Sequence, residues 1–282
     1  MIKTATQLKA KIRNLSDGNS LKAQALIRNY IMERFLERIS LSDYRDNLIL
    51  KGGMLVSSIV GLETRTTMDI DTTVQSLLVT MSEAKRIIEA IISVALEDNV
   101  SFHIKKIEQI MEDFDYPGIR FILEAGLDNL RQVIKIDLST NDVIIPSAIV
   151  YQYRLMFEDR NISLKAYNLE TLLGEKIETV ISRGTANTRM RDFYDIHTIS
   201  THKTERIDYE ILQKALLTTS KKRNTLDLIE DYKRIIDEVR SSGVMKKNWD
   251  NYLKDLLFYE NITWIQVVDS LVILLQKISI YK

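Results

Sequence analysis

The chain has 282 residues, of which 45% are hydrophobic and 28% are charged; these values are typical of globular proteins and leave room for two domains of ordinary size. Lys and Arg together number 39, as do Asp and Glu, and this zero net charge excludes a general electrostatic attraction to nucleic acid. Local basic clusters such as Arg183, Arg189 and Arg191 could still bind phosphates. Cysteine is absent, which excludes disulfides, thiolate metal sites and cysteine nucleophiles.

The expected location follows from three sequence features. The segment closest to a membrane span, residues 264–278, is interrupted by Gln266, Asp269 and Lys277. The first residues, Met1 to Thr4, lack the apolar core of a signal peptide. Together with the absence of cysteine, this predicts a cytoplasmic protein without a membrane partner.

The first half of the chain alternates between helical and strand-like patterns. Apolar residues at helical spacing predict two amphipathic helices before residue 40, and an apolar segment stopped by two glycines then predicts a buried strand. The predicted helices span residues 8–15, 21–39, 54–60 and 82–96, and the predicted strands span residues 47–50, 68–74, 102–107, 119–125, 133–138, 151–157 and 162–164.

Helical periodicity begins at Asn168 and continues to the end of the chain. Polar or glycine-containing segments at residues 182–184, 200–203, 220–224 and 241–243 divide it into separate helices. The two prolines, Pro117 and Pro146, fall in predicted loops. We therefore predict an α+β protein, with N-terminal helices and a mixed sheet in residues 1–167 and a helical C-terminal domain in residues 168–282.

Residues 51–75 carry the pattern with the clearest chemical meaning. Lys51-Gly52-Gly53 follows the first predicted strand, and glycines let backbone N–H groups approach phosphates. Asp69 and Asp71 lie in the next predicted strand, where residues two apart point to the same face. Paired carboxylates hold Mg²⁺ or Mn²⁺ in phosphoryl and nucleotidyl transfer. The pattern therefore predicts a protein that handles a nucleoside triphosphate.

A third carboxylate would complete such a cluster. Asp137 is the candidate, because it lies near the end of the strong strand pattern of residues 133–138. The same residues also have ordinary explanations, since two aspartates with this spacing occur by chance and aspartates at strand ends often cap turns. Lys51 fits a phosphate contact and a solvated strand end equally well.

The helical half contains a second group of polar residues. Lys176 falls on the apolar stripe of residues 169–181, so it either extends its ammonium to solvent or pairs with an anion such as a triphosphate. Asp192 and Asp195 are three residues apart and share one helix face. Capping of that helix is the preferred explanation for Asp195, whereas Asp192 is open between capping and function.

These motifs together resemble a known family, the AbiEii nucleotidyltransferase-like toxins. The family belongs to bacterial AbiE abortive-infection systems, which are type IV toxin–antitoxin systems. By motif the resemblance covers about residues 48–199, and each motif alone is a weak signal. The motifs occur in the family's order: Leu50-Lys51-Gly52-Gly53, Arg65-Thr66-Thr67-Met68-Asp69-Ile70-Asp71, Glu175-Lys176 and Arg191-Asp192-Phe193-Tyr194-Asp195.

The resemblance implies a fold and an activity. The fold is a DNA polymerase β-type nucleotidyltransferase core followed by a helical part that completes the active site. Related toxins bind a nucleoside triphosphate, here expected to be GTP or CTP, and several transfer nucleotides to the 3′ end of tRNA. The transfer blocks aminoacylation and causes reversible growth arrest, which stops phage infection. A cognate antitoxin is expected to act without a stable complex, and no readout of DNA sequence is expected.

The resemblance also assigns roles to residues of the first half. Gly52 and Gly53 would receive the β- and γ-phosphates of the nucleotide. Asp69 and Asp71 would bind Mg²⁺ or Mn²⁺, together with Asp137 as the acid suggested by the strand pattern. A 3′-hydroxyl would then attack the α-phosphate, and pyrophosphate would leave.

Two further assignments lie on helices, and one position departs from the broader pattern. Lys176 would pair with the triphosphate, and Asp192 would position Lys176 or the acceptor hydroxyl. Many nucleotidyltransferases carry Gly-Ser in the turn, whereas here Gly52 is followed by Gly53 in the place of the serine, and then by Met54. Phosphate binding would then depend on backbone N–H groups, the helix N-terminus and Ser57 one turn further on.

Two other functions fit parts of the sequence. Residues 69–74 match the D-x-D-x-T-V signature of haloacid dehalogenase-like phosphatases, in which Asp69 would be the nucleophile and Asp71 the acid/base. That motif should end a strongly apolar strand, but here Arg65-Thr66-Thr67 precedes it. The other alternative is a non-catalytic RNA- or protein-binding module on a nucleotidyltransferase fold, and the three acids and the lysine argue against it.

Overall fold

The chain divides into two compact units. The computed structural model describes residues 1–77, 79–110, 118–256 and 261–278. The first unit comprises Met1–Asp142 and Ile149–Ala166, and the second comprises Val143–Ala148 and Tyr167–Lys282. The short segment Val143–Ala148, which contains Pro146, is neither helix nor strand, as predicted for that proline. Pro117 lies outside the described residues.

A mixed sheet is the main feature of the first unit. Among the described residues it has seven strands: β1 (Leu48–Lys51), β2 (Asp69–Val74), β3 (Ser101–Ile110), β4 (Gly118–Leu127), β5 (Leu130–Thr140), β6 (Ile149–Arg154) and β7 (Asn161–Ala166). Their spatial order is β3-β4-β5-β2-β1-β7-β6. β2 pairs in parallel with β5 and β1 pairs in parallel with β7, while the other neighbours are antiparallel.

Each predicted strand overlaps one of these strands, but several ends differ. β3 and β5 are longer than predicted, because their outer residues pair with β4 or, at Ser139 and Thr140, with β2, although they lack strict alternation. The prediction for residues 155–157 is wrong, since β6 ends at Arg154. Leu155 is nevertheless buried, which explains why an apolar pattern extended the prediction.

Four helices accompany the sheet in the described part of this unit: α1 (Ala5–Ser16), α2 (Ser20–Leu41), α3 (Gly52–Val60) and α4 (Met81–Ile92). Thr4, Asn19 and Thr80 cap α1, α2 and α4 through their side-chain oxygens. α3 begins at Gly52, two residues before its prediction, so the glycine turn is itself the first turn of the helix. α4 ends four residues before its prediction, because the apolar residues 94–96 are not fully buried against the core.

Helices alone form the rest of the second unit that the structure describes, apart from two short 3₁₀ turns. They are α5 (Leu169–Arg183), α6 (Met190–His202), α7 (Tyr209–Lys222), α8 (Leu226–Glu230), α9 (Tyr232–Ser241), α10 (Gly243–Asp255) and α11 (Trp264–Ile278). The predicted breaks are confirmed, but the sequence analysis did not predict two further breaks, one at Asp231 and one between Asp255 and Trp264. Aromatic side chains fill this core, with the rings of Phe193 and Trp264 at 5.0 Å between centroids and Trp249 fully buried.

The predicted α+β class is confirmed, because helices and a mixed sheet are followed by a helical region. None of the described helices has the length and hydropathy of a membrane span.

Candidate active site

Three carboxylates from two neighbouring strands meet on one face of the sheet. β2 and β5 run in parallel with Asp71 opposite Asp137, and Asp69 lies two residues before Asp71, on the same face. One oxygen from each of the three side chains lies within 4.8 Å of the others. The structure thus brings together the three predicted metal ligands.

The charge of this cluster favours a cation. The pKa of Asp71 is raised to about 6, mainly by burial and then by the neighbouring carboxylates of Asp69 and Asp137, although the Lys51 ammonium and the Gly53 N–H lower it. Carboxylate oxygens are the ligands that Mg²⁺ and Mn²⁺ prefer. The three carboxylates offer oxygen ligands and repel one another, so they fit a divalent metal ion as their shared partner.

The guanidinium of Arg120 is a neighbour of this cluster that the sequence did not reveal. Arg120 lies opposite Asp137 in the antiparallel β4–β5 pair. Its Nε and Nη2 donate to the two carboxylate oxygens of Asp137 at 2.7 and 2.6 Å. The only sequence signal was a charged residue inside the otherwise apolar segment from Ile119 to Leu123. Such a forked pair fixes the orientation of the carboxylate.

The glycine turn lies against the same carboxylates. Gly52 has a φ of +64°, and a Cβ built on it would be 1.9 Å from Asp71 Oδ2, so both conformation and space require glycine. The N–H of Gly53 points to Asp71 Oδ2 at 3.4 Å. The N-terminus of α3 therefore presents its backbone N–H groups beside the acidic cluster, where the helix dipole favours negative charge.

Gly53 has a local explanation of its own. A Cβ on this residue would be 2.4 Å from Thr67 Oγ1 and 3.3 Å from Arg65 Nη2. The Thr67 hydroxyl donates to Asp69 Oδ1 at 2.9 Å. Thr67 thus fills the space that a serine side chain would need and contacts a predicted metal ligand directly.

Two of the predicted phosphate contacts have protein partners. Lys51 Nζ lies 2.5 Å from Asp142 Oδ2 and is largely buried, so the solvated-strand-end explanation is wrong. Burial would raise the pKa of Asp142, but mainly the Lys51 ammonium lowers it to about 2. The structure does not support the phosphate contact of Ser57, because its hydroxyl is fully buried and donates to the Gly53 carbonyl at 2.9 Å.

The second unit holds a separate charged cluster around Lys176. Its Nζ lies 2.8 Å from Asp192 Oδ1 and 2.8 Å from Asp195 Oδ2. Burial lowers the pKa of Lys176, but the two carboxylates outweigh burial and the pKa is raised. Lys176 therefore meets anions and does not extend to solvent.

The capping explanation for Asp195 is wrong. Arg189 is the N-cap residue of α6, and Asp195 lies beyond the first turn, fully buried against Lys176. Asp192, which does lie in the first turn, joins Lys176 to Arg189, whose Nε is 3.0 Å from Asp192 Oδ2. The expectation that the helical unit completes the active site stays a prediction.

The strand position of the aspartates argues against the phosphatase alternative. In that signature the first aspartate should follow an apolar strand. Here Asp69 begins β2, and the residues before it belong to no strand.

The chain is similar to known proteins in sequence and in fold. Residues 34–270 match the family model described as "Nucleotidyl transferase AbiEii toxin, Type IV TA system". The fold is similar to the crystal structure of JHP933 from Helicobacter pylori, with a TM-score of 0.51, 17% sequence identity and coverage of 90% of this chain and 91% of that chain. A second H. pylori structure, named "putative nucleotidyltransferase", has a TM-score of 0.49, 16% identity and coverage of 90% and 94%. Among curated proteins, none matches this chain.

The family match extends over most of the sequence, and it confirms the fold and the family that the motifs indicated. The chain belongs to the AbiEii family of nucleotidyl transferase toxins of type IV toxin–antitoxin systems.

Proposed function

We propose that this toxin transfers a nucleotide from GTP or CTP to the 3′ end of an RNA, with tRNA as the acceptor. The observation that supports the proposal most strongly is the cluster of Asp69, Asp71 and Asp137 beside the N-terminus of α3. Nucleotidyl transfer needs a metal-holding acidic group next to a phosphate-binding element, and both lie together in one unit.

The roles of the chain's own residues follow from their contacts. Asp69, Asp71 and Asp137 would hold Mg²⁺ or Mn²⁺, which when bound neutralises charge on the phosphate oxygens. The N–H groups at Gly52 and Gly53 would receive the β- and γ-phosphates. The acceptor 3′-hydroxyl would then form a bond to the α-phosphorus as the bond to the β-phosphate oxygen breaks and pyrophosphate leaves.

Supporting residues would keep these groups in place. Arg120 orients Asp137, and Thr67 orients Asp69, through the hydrogen bonds described above. Lys176 and Asp192 are proposed to contribute to the same reaction, as their match to the family motif implies. Their tight pairing supports a role for Asp192 in positioning the Lys176 ammonium.

The biological part of the proposal follows from the family. Transfer to tRNA would cause reversible growth arrest in the cytoplasm and abort phage infection, and a cognate antitoxin would counter it without a stable complex. Expression in bacteria followed by sequencing of RNA 3′ ends tests this directly. We expect growth arrest together with extra nucleotides on tRNA 3′ ends.

The control for this experiment is a pair of substitutions. Asp69→Ala should abolish both effects, while Asp46→Ala, at an exposed aspartate of the same unit, should abolish neither. Growth arrest without any altered RNA 3′ end, or arrest that survives Asp69→Ala, would contradict the proposal. The second result would favour a non-catalytic binding module.

A further inference from the structure

The second unit contains an open cavity that the proposed chemistry does not use. Its volume is about 490 Å³, within the range of about 300–1,000 Å³ typical of ligand sites. The cavity lies between the start of α6 and the C-terminal half of α10. Its walls are formed by Thr188, Arg189, Met190, Arg191, Asn248, Asn251 and Tyr252.

The charge of the cavity favours an anion. Two of its seven lining residues are arginines and none is acidic. Arg189 and Arg191 are both exposed, and within the described parts of the chain the side chain of Arg191 makes no hydrogen bond or ion pair. Guanidinium groups bind phosphate oxygens through paired N–H donors.

The walls of the cavity are held in place by contacts with the buried residues Asn187, Asp192 and Trp249. The backbone N–H of Arg189 donates to Asn187 Oδ1 at 2.8 Å, and its guanidinium pairs with Asp192. On the other side, the Tyr252 ring lies 5.6 Å from the Trp249 ring. The fully buried Trp249 indole donates to the Ile262 carbonyl at 2.9 Å. These contacts make the cavity a preformed surface.

The remaining polar groups suit a nucleobase. Asn248 and Asn251 are three residues apart on one side of α10, and each amide offers both a donor and an acceptor. Tyr252 adds an aromatic side chain, on which unpaired bases stack. Arginines, amides and an aromatic ring together match the phosphates and bases of a single strand better than they match a simple anion.

We infer that this cavity binds the single-stranded 3′ end of the RNA acceptor. Arg189 and Arg191 contact its phosphates, and Asn248 and Tyr252 contact a terminal base. Asp192 links this surface to Lys176, because it pairs with both Arg189 and Lys176. The inference deepens the proposed function and rests on it for the identity of the ligand.

The test measures RNA binding without metal or nucleoside triphosphate, so that it does not depend on catalysis. Fluorescence anisotropy is recorded with a labelled single-stranded oligoribonucleotide of about 10 nucleotides, a length within the usual range of single-strand sites. We expect Arg191→Ala to weaken binding about 10-fold or more. We also expect the slope of log affinity against log salt to become shallower by about 0.7, the value for one lost phosphate contact on a single strand. Asn248→Ala should weaken affinity without changing that slope.

Arg206→Ala is the matched control, since Arg206 is an exposed arginine of the same unit outside the cavity. Stabilisation of each variant by nucleoside triphosphate and Mg²⁺ is measured in parallel. Unchanged RNA affinity and salt slope in Arg191→Ala would overturn the inference, as would no RNA binding by the wild type. Loss of triphosphate stabilisation with unchanged RNA affinity would also overturn it, because the cavity would then hold the free nucleotide. A wild type that binds RNA at this surface but transfers no nucleotide would refute the proposed function alone.

Discussion

Arg120 holds both carboxylate oxygens of Asp137, at 2.7 and 2.6 Å, across the β4–β5 pair. The third member of the acidic cluster thus has a permanent positive partner in the protein, whereas Asp71 depends on Lys51 and a backbone N–H for relief. Asp137 is therefore held in one orientation by Arg120, whereas burial and the neighbouring carboxylates destabilise the charged form of Asp71.

Arg120→Met should destabilise the protein and make it more dependent on metal. The substitution leaves the Asp137 carboxylate without its partner, which we expect to cost about 1–3 kcal/mol of unfolding free energy. Because a cation would then be the main partner of Asp137, Mg²⁺ should raise the melting temperature more than in the wild type. Thermal unfolding with and without Mg²⁺ measures both effects. Arg131→Met, at an exposed arginine of β5, is the control. An equal Mg²⁺ effect in Arg120→Met and wild type would contradict this account.

Asp71→Asn should stabilise the metal-free protein while removing its response to metal. The pKa of Asp71 rises from 3.8 to about 6 on folding, so the wild type loses stability as pH rises through that interval, whereas asparagine does not titrate. The variant should therefore be more stable than wild type at about pH 8, and the difference should shrink as pH falls below about 6. Chemical unfolding at a series of pH values measures it. A variant less stable than wild type at the higher pH would contradict the destabilisation of the charged Asp71 carboxylate in the folded protein.

Gly53→Ser should disrupt the turn even though serine is common at this place in related enzymes. Its Cβ would lie 2.4 Å from Thr67 Oγ1, and we expect such overpacking to cost about 1–3 kcal/mol. Gly243→Ser is the control, because a Cβ there meets nothing within 4 Å. Adding Thr67→Gly should relieve the clash and recover part of the lost stability. Unfolding in urea compares the variants, and equal stability of Gly53→Ser and Gly243→Ser would count against the steric explanation.

Lys176→Met should be among the most destabilising substitutions of the second unit. It removes the ammonium between Asp192 and Asp195 and leaves two buried carboxylates, which we expect to cost about 3–5 kcal/mol. Adding Asp195→Asn should recover part of this loss, since one of the two buried carboxylates then carries no charge. Lys221→Met, at an exposed lysine of α7, should have little effect. Unfolding of Lys176→Met at the same urea concentration as Lys221→Met would contradict a stabilising role for the ion pairs of Lys176 with Asp192 and Asp195.

The acidic cluster could be predicted because it depends on local sequence patterns. Asp69 and Asp71 share a face by the period of a strand, and Asp137 is an acid within a strong strand pattern. The three aspartates come together once β2 and β5 are neighbours, and the structure shows this pairing.

The partners of the cluster could not be predicted, since they depend on cross-strand register and on packing. Arg120 reaches Asp137 only because the β4–β5 register places them opposite each other. Thr67 reaches Asp69 from a loop, which no periodicity describes. The position of Ser57 one turn into a helix predicts a hydroxyl that is free to contact phosphate, but this hydroxyl donates to the carbonyl of Gly53, four residues earlier.

Transfer of label from an α-³²P nucleoside triphosphate to tRNA by the purified protein tests the central claim most directly. With Mg²⁺ or Mn²⁺, the wild type should label tRNA 3′ ends with GTP or CTP, and both Asp69→Ala and Asp71→Asn should give no label, while Asp46→Ala labels as wild type does. Absence of label with all four triphosphates, or undiminished label with Asp69→Ala, would contradict the assignment of Asp69, Asp71 and Asp137 as a nucleotidyltransferase site.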